Sequence, residues 1–362
     1  MHMRKNKGKL QNKNVVVVCE GTTTEHLYFE DLKKYLLQKS IIQEYELKII
    51  PDIQETINQK SGRVKRHLMG NKVEWRYYEQ SETCEVDYDN YKAQPTRYLR
   101  EAQLFCNEGT YSEGWAVYDK DGHPALQQAE EMLKQDSRLH VAFSAYSFEE
   151  WILMHFEYTT HAFARSECVD TNGREYKCGG KNQNGHDCKG NECIGGYLRV
   201  KGYIPEFSKK TKEVFSSYTL NSNGDICPKA FINAARLREH TNESRIFRGA
   251  YTDVDLLVLK LLKLDNTYNW VKLKEPIVIG SSTLLFHEDN NCIVVENISD
   301  QSFLCTSETL YFCNQYGEYL KPALKSNVLL DNRNNCKFRK EDYEYICLKY
   351  KDSYFFITVS AE

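Results

Sequence analysis

A run of four valines and a cysteine, Val15–Cys19, restricts the fold of this 362-residue chain more than any other segment. The run is apolar and mostly β-branched, which is typical of a strand that is buried on both faces of a parallel sheet. It ends directly in Glu20 and Gly21, and a helical spacing of apolar residues begins at Thr24. The predicted fold therefore opens with a buried strand that ends in a carboxylate and a tight turn.

Strand and helix patterns alternate after this run. Further strands are predicted in "YELKII", "GWAVYD" and "HVAFSAY", and helices in "RYLREAQLFCNE", "PALQQAEEMLKQD" and "SFEEWILMHFEY". The segments "KAFINAARLREHT" and "DVDLLVLKLLKL" are predicted helices that close this part of the chain. Alternation of this kind predicts an α/β domain whose mostly parallel sheet is flanked by helices.

The pattern changes near residue 272. From Pro276 onward, short strands such as "IVIGSSTLLF", "NCIVVENI" and "SYFFITVSA" are separated by turns rich in Asn, Asp and Gly. Such spacing predicts an all-β sandwich or barrel. We therefore expect a catalytic α/β domain at residues 1–271 and a C-terminal β domain at residues 272–362.

Acidic residues stand at three predicted strand ends. Glu20 follows the first strand, Asp119 and Asp121 follow the strand in "WAVYDKD", and Glu149 follows "VAFSAYS". Ligands of parallel sheets bind beyond the carboxyl ends of the strands. Gathered carboxylates repel one another unless a cation lies between them, and Mg²⁺ or Mn²⁺ is the hard ion that oxygen ligands suit. Each acid alone is typical of a helix cap or turn, but the combination favours a metal site.

Three ordered blocks of the sequence resemble the RloB-like family, a group with a Toprim-type fold. The family's E-G-x-x-T-E after an apolar strand corresponds to "CEGTTTEHLYF", and its D-x-D corresponds to "WAVYDKD". The pattern S-N-P-x-F-E-x-W-x-L-x-H-F corresponds to "SAYSFEEWILMHF", where Ala145 and Tyr146 replace the usual Asn-Pro. That departure affects the shape of the loop and leaves Glu149 in place. The resemblance spans Asn14–Leu264 and leaves the C-terminal region unexplained.

The resemblance implies a metal-dependent nuclease that acts in bacterial defence against phage, on DNA or on RNA such as tRNA. It implies catalytic roles for Glu20, Asp119, Asp121 and Glu149. Asp119 and Asp121 would hold Mg²⁺ or Mn²⁺, and Glu20 would serve as a ligand, general base or general acid. Toprim domains also serve primases and nucleotidyl transferases, although the sequence has no polymerase-like companion. A non-catalytic binding or sensor module is the remaining alternative, which the intact acids disfavour.

A cysteine-rich insertion at residues 168–193 interrupts the α/β pattern. The chain has 13 cysteines and no predicted secretion signal, so we expect a cytoplasmic protein with reduced thiols. Four cysteines in a glycine-rich stretch can close a tetrahedral zinc site. Their spacing lacks C-x-x-C pairs, so a flexible loop with free thiols is the alternative. The candidate zinc ligands are Cys168, Cys178, Cys188 and Cys193.

The charge distribution restricts how the chain can contact nucleic acid. A formal net charge of -3 provides no general basic surface, so binding requires a local patch. Basic residues with some interleaved aromatic residues occur in Ser61–Tyr78, where a solvated surface is the alternative. The candidate nucleic-acid contacts are Arg63, Lys65, Arg66, Lys72 and Arg76.

The apolar segments of the sequence indicate which other partners to expect. No apolar stretch is long enough to span a bilayer, so no membrane partner is expected. Strands of the C-terminal β domain are rich in Tyr, Phe, Val and Ile. We expect this domain to form a homo-oligomer or to dock a partner protein of the defence system through its edge strands.

Overall fold

A computed structural model of the chain describes residues 14–50, 68–69, 72–73, 95–120, 126–169, 172, 175–178, 188, 190–240, 249–265, 267–290, 292–313, 319–331, 335–339 and 345–358. The described residues form two compact units. The parallel-sheet unit lies within Met1–Glu150, His161–Ser216 and Glu243–Val254, and the β-rich unit lies within Trp151–Thr160, Ser217–Asn242 and Asp255–Glu362. Helical segments before residue 271 thus belong to the β-rich unit, and the predicted boundary at 271 stays a prediction.

The helices follow the predicted order and add two short ones. None of the helices that the structure describes has the length and apolar character needed to span a membrane. The short helices α5 and α6 were not predicted, and α5 lies at the end of the cysteine-rich insertion. In chain order the helices are α1 (Thr24–Gln38), α2 (Thr96–Asn107), α3 (Leu126–Gln135), α4 (Glu149–Met154), α5 (Ile194–Val200), α6 (Val214–Tyr218), α7 (Lys229–His240) and α8 (Val254–Leu262).

The parallel-sheet unit contains a five-stranded sheet. The described strands of this unit are β1 (Val15–Cys19), β2 (Leu47–Ile50), β3 (Leu68–Met69), β4 (Lys72–Val73), β5 (Glu113–Asp119), β6 (Leu139–Ala145), β7 (Cys168–Val169), β8 (Glu175–Tyr176) and β9 (Tyr251–Thr252). The sheet order is β2–β1–β5–β6–β9. The first four strands in that order are parallel, and β9 is antiparallel to β6. This arrangement confirms the predicted α/β unit with a mostly parallel sheet.

Burial of β1 explains why its sequence is uniformly apolar. All five residues of the strand are buried. Val16 and Val18 share one apolar cluster with Leu99 and Ala102 of α2. Aromatic side chains of α1 pack against the residue that precedes α4. The rings of Tyr28 and Phe148 lie 5.5 Å apart in an edge-to-face arrangement. Helices therefore flank the sheet, as the alternating pattern predicts.

The β-rich unit consists mainly of two sheets that enclose one core. Its described strands are β10 (Tyr268–Val271), β11 (Pro276–Ile279), β12 (Ser282–Asp289), β13 (Cys292–Asn297), β14 (Phe303–Cys305), β15 (Leu310–Cys313), β16 (Tyr319–Pro322), β17 (Val328–Leu330), β18 (Asn335–Arg339), β19 (Tyr345–Tyr350) and β20 (Ser353–Thr358). One sheet has the order β10–β20–β19–β15–β16 and the other β11–β12–β13–β18, while β14 pairs with β17. The C-terminal β-rich region is thus confirmed.

Along these strands, residues that face the core alternate with residues that face outward. Leu284 and Phe286 of β12 share an apolar core with Ile346 and Leu348 of β19, which lies in the other sheet. Strand β10 was not predicted, and it pairs in parallel with the last strand, β20. Edge strands of such sheets can pair with another chain, so oligomer formation or partner docking through this region stays a prediction.

The contact between β5 and α2 supplies a test of the packing of the parallel-sheet unit. A Cβ atom at Gly114 would lie 2.9 Å from the Cβ atom of Ala102 and 3.1 Å from its carbonyl oxygen. Gly114→Ala should therefore lower the free energy of unfolding by about 1–3 kcal/mol through overpacking.

Urea unfolding of the two single variants and the double variant Ala102→Gly/Gly114→Ala measures the coupling. Since Ala102→Gly removes the opposing methyl group, the double variant should be more stable than the sum of the single effects. Strictly additive effects would contradict this packing.

Candidate active site and cysteine metal centre

Glu20 and Asp119 lie side by side at the carboxyl ends of adjacent parallel strands. The backbone N–H of Glu20 donates to the carbonyl oxygen of Val117 at 2.9 Å and continues the ladder between β1 and β5 by one residue. The side chain turns to the same neighbour, because its Oε2 atom accepts the backbone N–H of Asp119 at 3.2 Å. The structure thus brings these two predicted residues together at one edge of the sheet.

Glu149 is the first residue of α4, which follows β6, the next strand in the sheet. Its side chain is buried, and each carboxylate oxygen accepts one hydrogen bond from a hydroxyl group. Oε1 accepts from Thr24 of α1 at 3.2 Å, and Oε2 accepts from Ser166 at 3.1 Å. This predicted site residue is therefore held in a fixed orientation from two directions.

Glu25 is a fourth acid in this region. It follows Thr24 in the first turn of α1, its side chain is buried, and its Oε2 atom has no hydrogen-bond partner among the described residues. Burial raises the pKa of Glu25, and the negative charges of Glu149 and Glu20 raise it further, to about 8, although its own backbone N–H and Lys209 act in the opposite direction. At neutral pH the metal-free site therefore holds a proton on Glu25. We call Glu20, Glu25, Asp119 and Glu149 the carboxylate cluster.

Lys209 is the cation of this region. Its Nζ atom lies 2.6 Å from Oε1 of Glu175, and its backbone carbonyl oxygen lies 3.4 Å from the hydroxyl oxygen of Thr24, whose single proton it shares with Glu149. Burial disfavours the charged form of Lys209, but the hydrogen bond to Glu175 and the charges of Glu149 and Glu25 raise its pKa overall. A protonated lysine next to acidic side chains can contribute to binding an anionic ligand.

Several predicted residues lie outside the described part of the chain. Asp121, Arg63, Lys65, Arg66 and Arg76 are among them. For Lys72 the structure describes the backbone, which belongs to β4 in a short antiparallel ribbon with β3. The second metal-binding aspartate and the predicted nucleic-acid contacts thus stay predictions.

Sequence reasoning assigned no role to Glu25, Ser166 or Lys209. Glu25 is the last residue of the E-G-x-x-T-E motif and lies in the first turn of the helix after β1. This position was the signal that could have identified it as a site residue. Lys209 belongs to the basic stretch "KGYIPEFSKKTKEVF", for which a solvated surface is the default interpretation. For Ser166, which is 17 residues from Glu149 in sequence, no local pattern gave a signal.

His155, a residue of the third sequence block, has both ring nitrogens hydrogen-bonded. Nδ1 lies 3.0 Å from the carbonyl oxygen of Trp151, to which it donates, and Nε2 accepts from the hydroxyl group of Thr219 at 2.8 Å. Burial lowers the pKa of His155 to about 4, although hydrogen bonds to backbone carbonyls oppose this shift. A buried neutral imidazole with these partners fixes the end of α4 in place.

Four cysteine side chains meet in the insertion. Cys168 lies in β7, Cys178 follows β8, Cys193 precedes α5, and Cys188 lies between the last two in sequence. All four are buried, and their sulfur atoms lie within 4.8 Å of one another. Within the described ranges this is the one group of three or more cysteine, histidine or acidic side chains close enough to share an ion, so the structure does not bring three members of the carboxylate cluster within that distance of one another.

The geometry of this cysteine cluster suits a tetrahedral ion. The Sγ atom of Cys168 lies 3.2 Å from that of Cys188 and 3.6 Å from that of Cys193. Zinc–sulfur bonds of about 2.3 Å in a tetrahedron place sulfurs about 3.8 Å apart. A Cβ atom at Gly196 would lie 2.7 Å from the Sγ atom of Cys193, so a glycine is required beside the sulfurs. The buried cluster can therefore bind a structural metal such as zinc.

The thiol of Cys188 differs from two others of the cluster, because burial raises the pKa of Cys168 to about 12 and raises the pKa of Cys193 as well. Burial opposes the thiolate of Cys188, but hydrogen bonds from Cys178, Cys168 and the backbone N–H groups of Glu192 and Gly190 lower its pKa to about 7. A thiolate is the form that binds metal ions.

A buried ion pair supports the same insertion. The guanidinium group of Arg199 in α5 contacts both carboxylate oxygens of Glu167, at 2.8 and 2.6 Å. Its Nε atom donates to the carbonyl oxygen of Cys178 at 2.6 Å. Both charged side chains are buried, and a planar bidentate contact of this kind fixes direction as well as distance. Arg199 thus connects α5 to the residues on either side of the hairpin that β7 and β8 form.

A family model described as RloB-like protein matches residues 15–261. The matched range contains the carboxylate cluster and the cysteine cluster, and the match confirms the resemblance carried by the three sequence blocks. No curated protein and no solved structure matches the chain significantly.

The proton on Glu25 makes the stability of the metal-free protein depend on pH. Between about pH 4.5, the ordinary pKa of a glutamic acid, and about pH 8, the folded state binds more protons than the unfolded state. The free energy of unfolding should therefore fall as pH rises through this window, and Glu25→Gln should flatten the fall. Urea unfolding in EDTA across the window measures both proteins. Parallel curves would contradict a raised pKa at Glu25.

The cysteine cluster predicts about one zinc ion per chain. Cys168→Ser should lower the zinc content to near zero, because a three-sulfur site binds the ion far more weakly. Cys305→Ser changes a buried cysteine in the core of the β-rich unit and should leave the zinc content unchanged. Elemental analysis of protein prepared without chelator measures all three proteins. Wild-type protein without bound metal would contradict the assignment.

Proposed function

The chain belongs to the RloB-like protein family, and from this membership and its carboxylate cluster we propose that it is a nuclease of the Toprim type. It uses Mg²⁺ or Mn²⁺ to cleave phosphodiester bonds of DNA or RNA, and it acts in bacterial defence against phage, as the family resemblance implies. The observation that carries the proposal is the position of Glu20 and Asp119 at adjacent strand ends, with Oε2 of Glu20 3.2 Å from the backbone nitrogen of Asp119.

The chemistry of the donor set suits a hard divalent cation. All side chains of the carboxylate cluster offer oxygen ligands, which Mg²⁺ and Mn²⁺ prefer. The Oε2 atom of Glu25 is buried without a hydrogen-bond partner among the described residues, an arrangement that a bound cation or a proton stabilises. Like charges at this density need a positive partner, and Lys209 alone is a single charge.

Each residue has a distinct role in the proposed reaction. Asp119 and Glu20, together with Asp121, would hold the cation, which supplies an activated water and neutralises charge on the attacked phosphate. Glu149, which its two hydroxyl donors keep in a fixed orientation, would take part in holding the cation as well. Glu25 carries a proton at neutral pH, which it can give to the leaving oxygen when the P–O bond breaks.

Incubation with Mg²⁺ or Mn²⁺ and plasmid DNA, tRNA or total RNA tests the proposal. Asp119→Asn and Glu20→Gln should lower the cleavage rate about a hundredfold or more, because each removes a charge that binds the ion. The matched control is Glu113→Gln, which changes an acid at the opposite end of β5.

Retained cleavage in both cluster variants, with circular dichroism spectra like that of the wild type, would refute the site. No cleavage of any substrate by the wild type with either ion would instead favour a binding or sensor module. Incorporation of labelled nucleotides would favour the nucleotidyl-transfer alternative.

A further inference from the structure

We propose that the cysteine-rich insertion is a positioning element of the carboxylate cluster, and that Ser166 is the residue through which it orients Glu149. This inference rests on the proposed function, since it concerns how the same cluster is prepared to bind its divalent cation. Ser166 is a positioning residue, because it contacts Glu149 and acts through that side chain.

The first step is the contact itself. The hydroxyl group of Ser166 donates to Oε2 of Glu149 at 3.1 Å, while Thr24 donates to the other oxygen at 3.2 Å. Ser166 and Glu149 are both buried, so water does not readily replace the hydroxyl group of Ser166 as a donor to Glu149. Without the hydroxyl group of Ser166, one oxygen of a buried carboxylate loses its donor, and Thr24 alone orients the side chain.

The second step is the dependence of Ser166 on the cysteine cluster. The backbone N–H of Gly195 donates to the carbonyl oxygen of Ser166 at 3.0 Å, which joins the segment before Cys168 to the segment after Cys193. The Sγ atoms of these two cysteines are 3.6 Å apart. An ion bound to both sulfurs therefore holds together the two segments whose pairing fixes Ser166.

The third step is a second contact between the insertion and the cluster region. Glu175 of β8 forms the 2.6 Å ion pair with Lys209, whose carbonyl oxygen accepts from Thr24. The β7–β8 hairpin is thus linked to the other hydroxyl donor of Glu149 as well. One contact just before the hairpin and one within it can set both the direction and the surroundings of this carboxylate.

Calorimetric titration of the zinc-bound protein with Mn²⁺ tests the proposal without requiring nuclease activity. Ser166→Ala should weaken Mn²⁺ binding about tenfold, as expected for loss of a hydrogen bond to a charged group, with unchanged zinc content. Ser166→Thr restores the hydroxyl group and should recover most of the affinity. The matched control, Ser216→Ala, removes a 2.9 Å hydroxyl bond to Asp31 in the same unit and should bind Mn²⁺ like the wild type.

Removal of zinc by dialysis against a chelator provides the second measurement. It should weaken Mn²⁺ binding in the wild type and weaken it less in Ser166→Ala, because that variant already lacks one of the two contacts through which the insertion acts. Unchanged Mn²⁺ affinity in zinc-depleted wild type overturns the role of the cysteine cluster, and unchanged affinity in folded Ser166→Ala overturns the role of Ser166. Both leave the proposed function intact, whereas a wild type that binds no Mn²⁺ overturns the proposed function itself.

Discussion

The parallel pairing of β1 with β5 is the constraint on which the candidate site depends. Cys19 lies opposite Val117 in this register, and the N–H of Glu20 continues the ladder. A shift of one residue would turn every side chain of β1 to the other face and separate Glu20 from Asp119. Because β1 is buried throughout, the same apolar burial that stabilises the sheet also fixes the position of the first carboxylate.

The carboxylate cluster has an electrostatic cost that the surrounding residues offset in three ways. Hydroxyl donors hold Glu149, a proton neutralises Glu25, and Lys209 supplies a positive charge. A divalent cation held by Glu20 and Asp119 would add positive charge beside the protonated Glu25. The insertion contributes to this balance from outside the sheet, since Ser166 lies just before it and is held by the backbone N–H of Gly195, which lies just after it. Fold stability and ion binding thus depend on the same few contacts.

The sequence predicts what depends on local pattern and composition. Apolar runs and periodic patterns in the sequence predict the parallel sheet and the acids at the ends of β1 and β5. The composition of the insertion predicts that its four cysteines meet. Long-range pairing is different: Thr24 and Glu149 are 125 residues apart, and β10 pairs with β20 across the whole C-terminal region. Such contacts depend on which surfaces meet after folding, so the roles of Ser166 and Lys209 required the structure.

Anomalous diffraction from crystals grown with Mn²⁺ is the most direct test of the carboxylate site. Data recorded at the manganese absorption edge should show a peak bound by carboxylate oxygens of Glu20 and Asp119, at about 2.2 Å as for hard oxygen-bound cations. A separate peak at the zinc edge should lie among the four cysteine sulfurs. If well-ordered crystals show manganese only elsewhere, or show none at this edge of the sheet, the carboxylate cluster is not the cation site and the proposed mechanism is wrong.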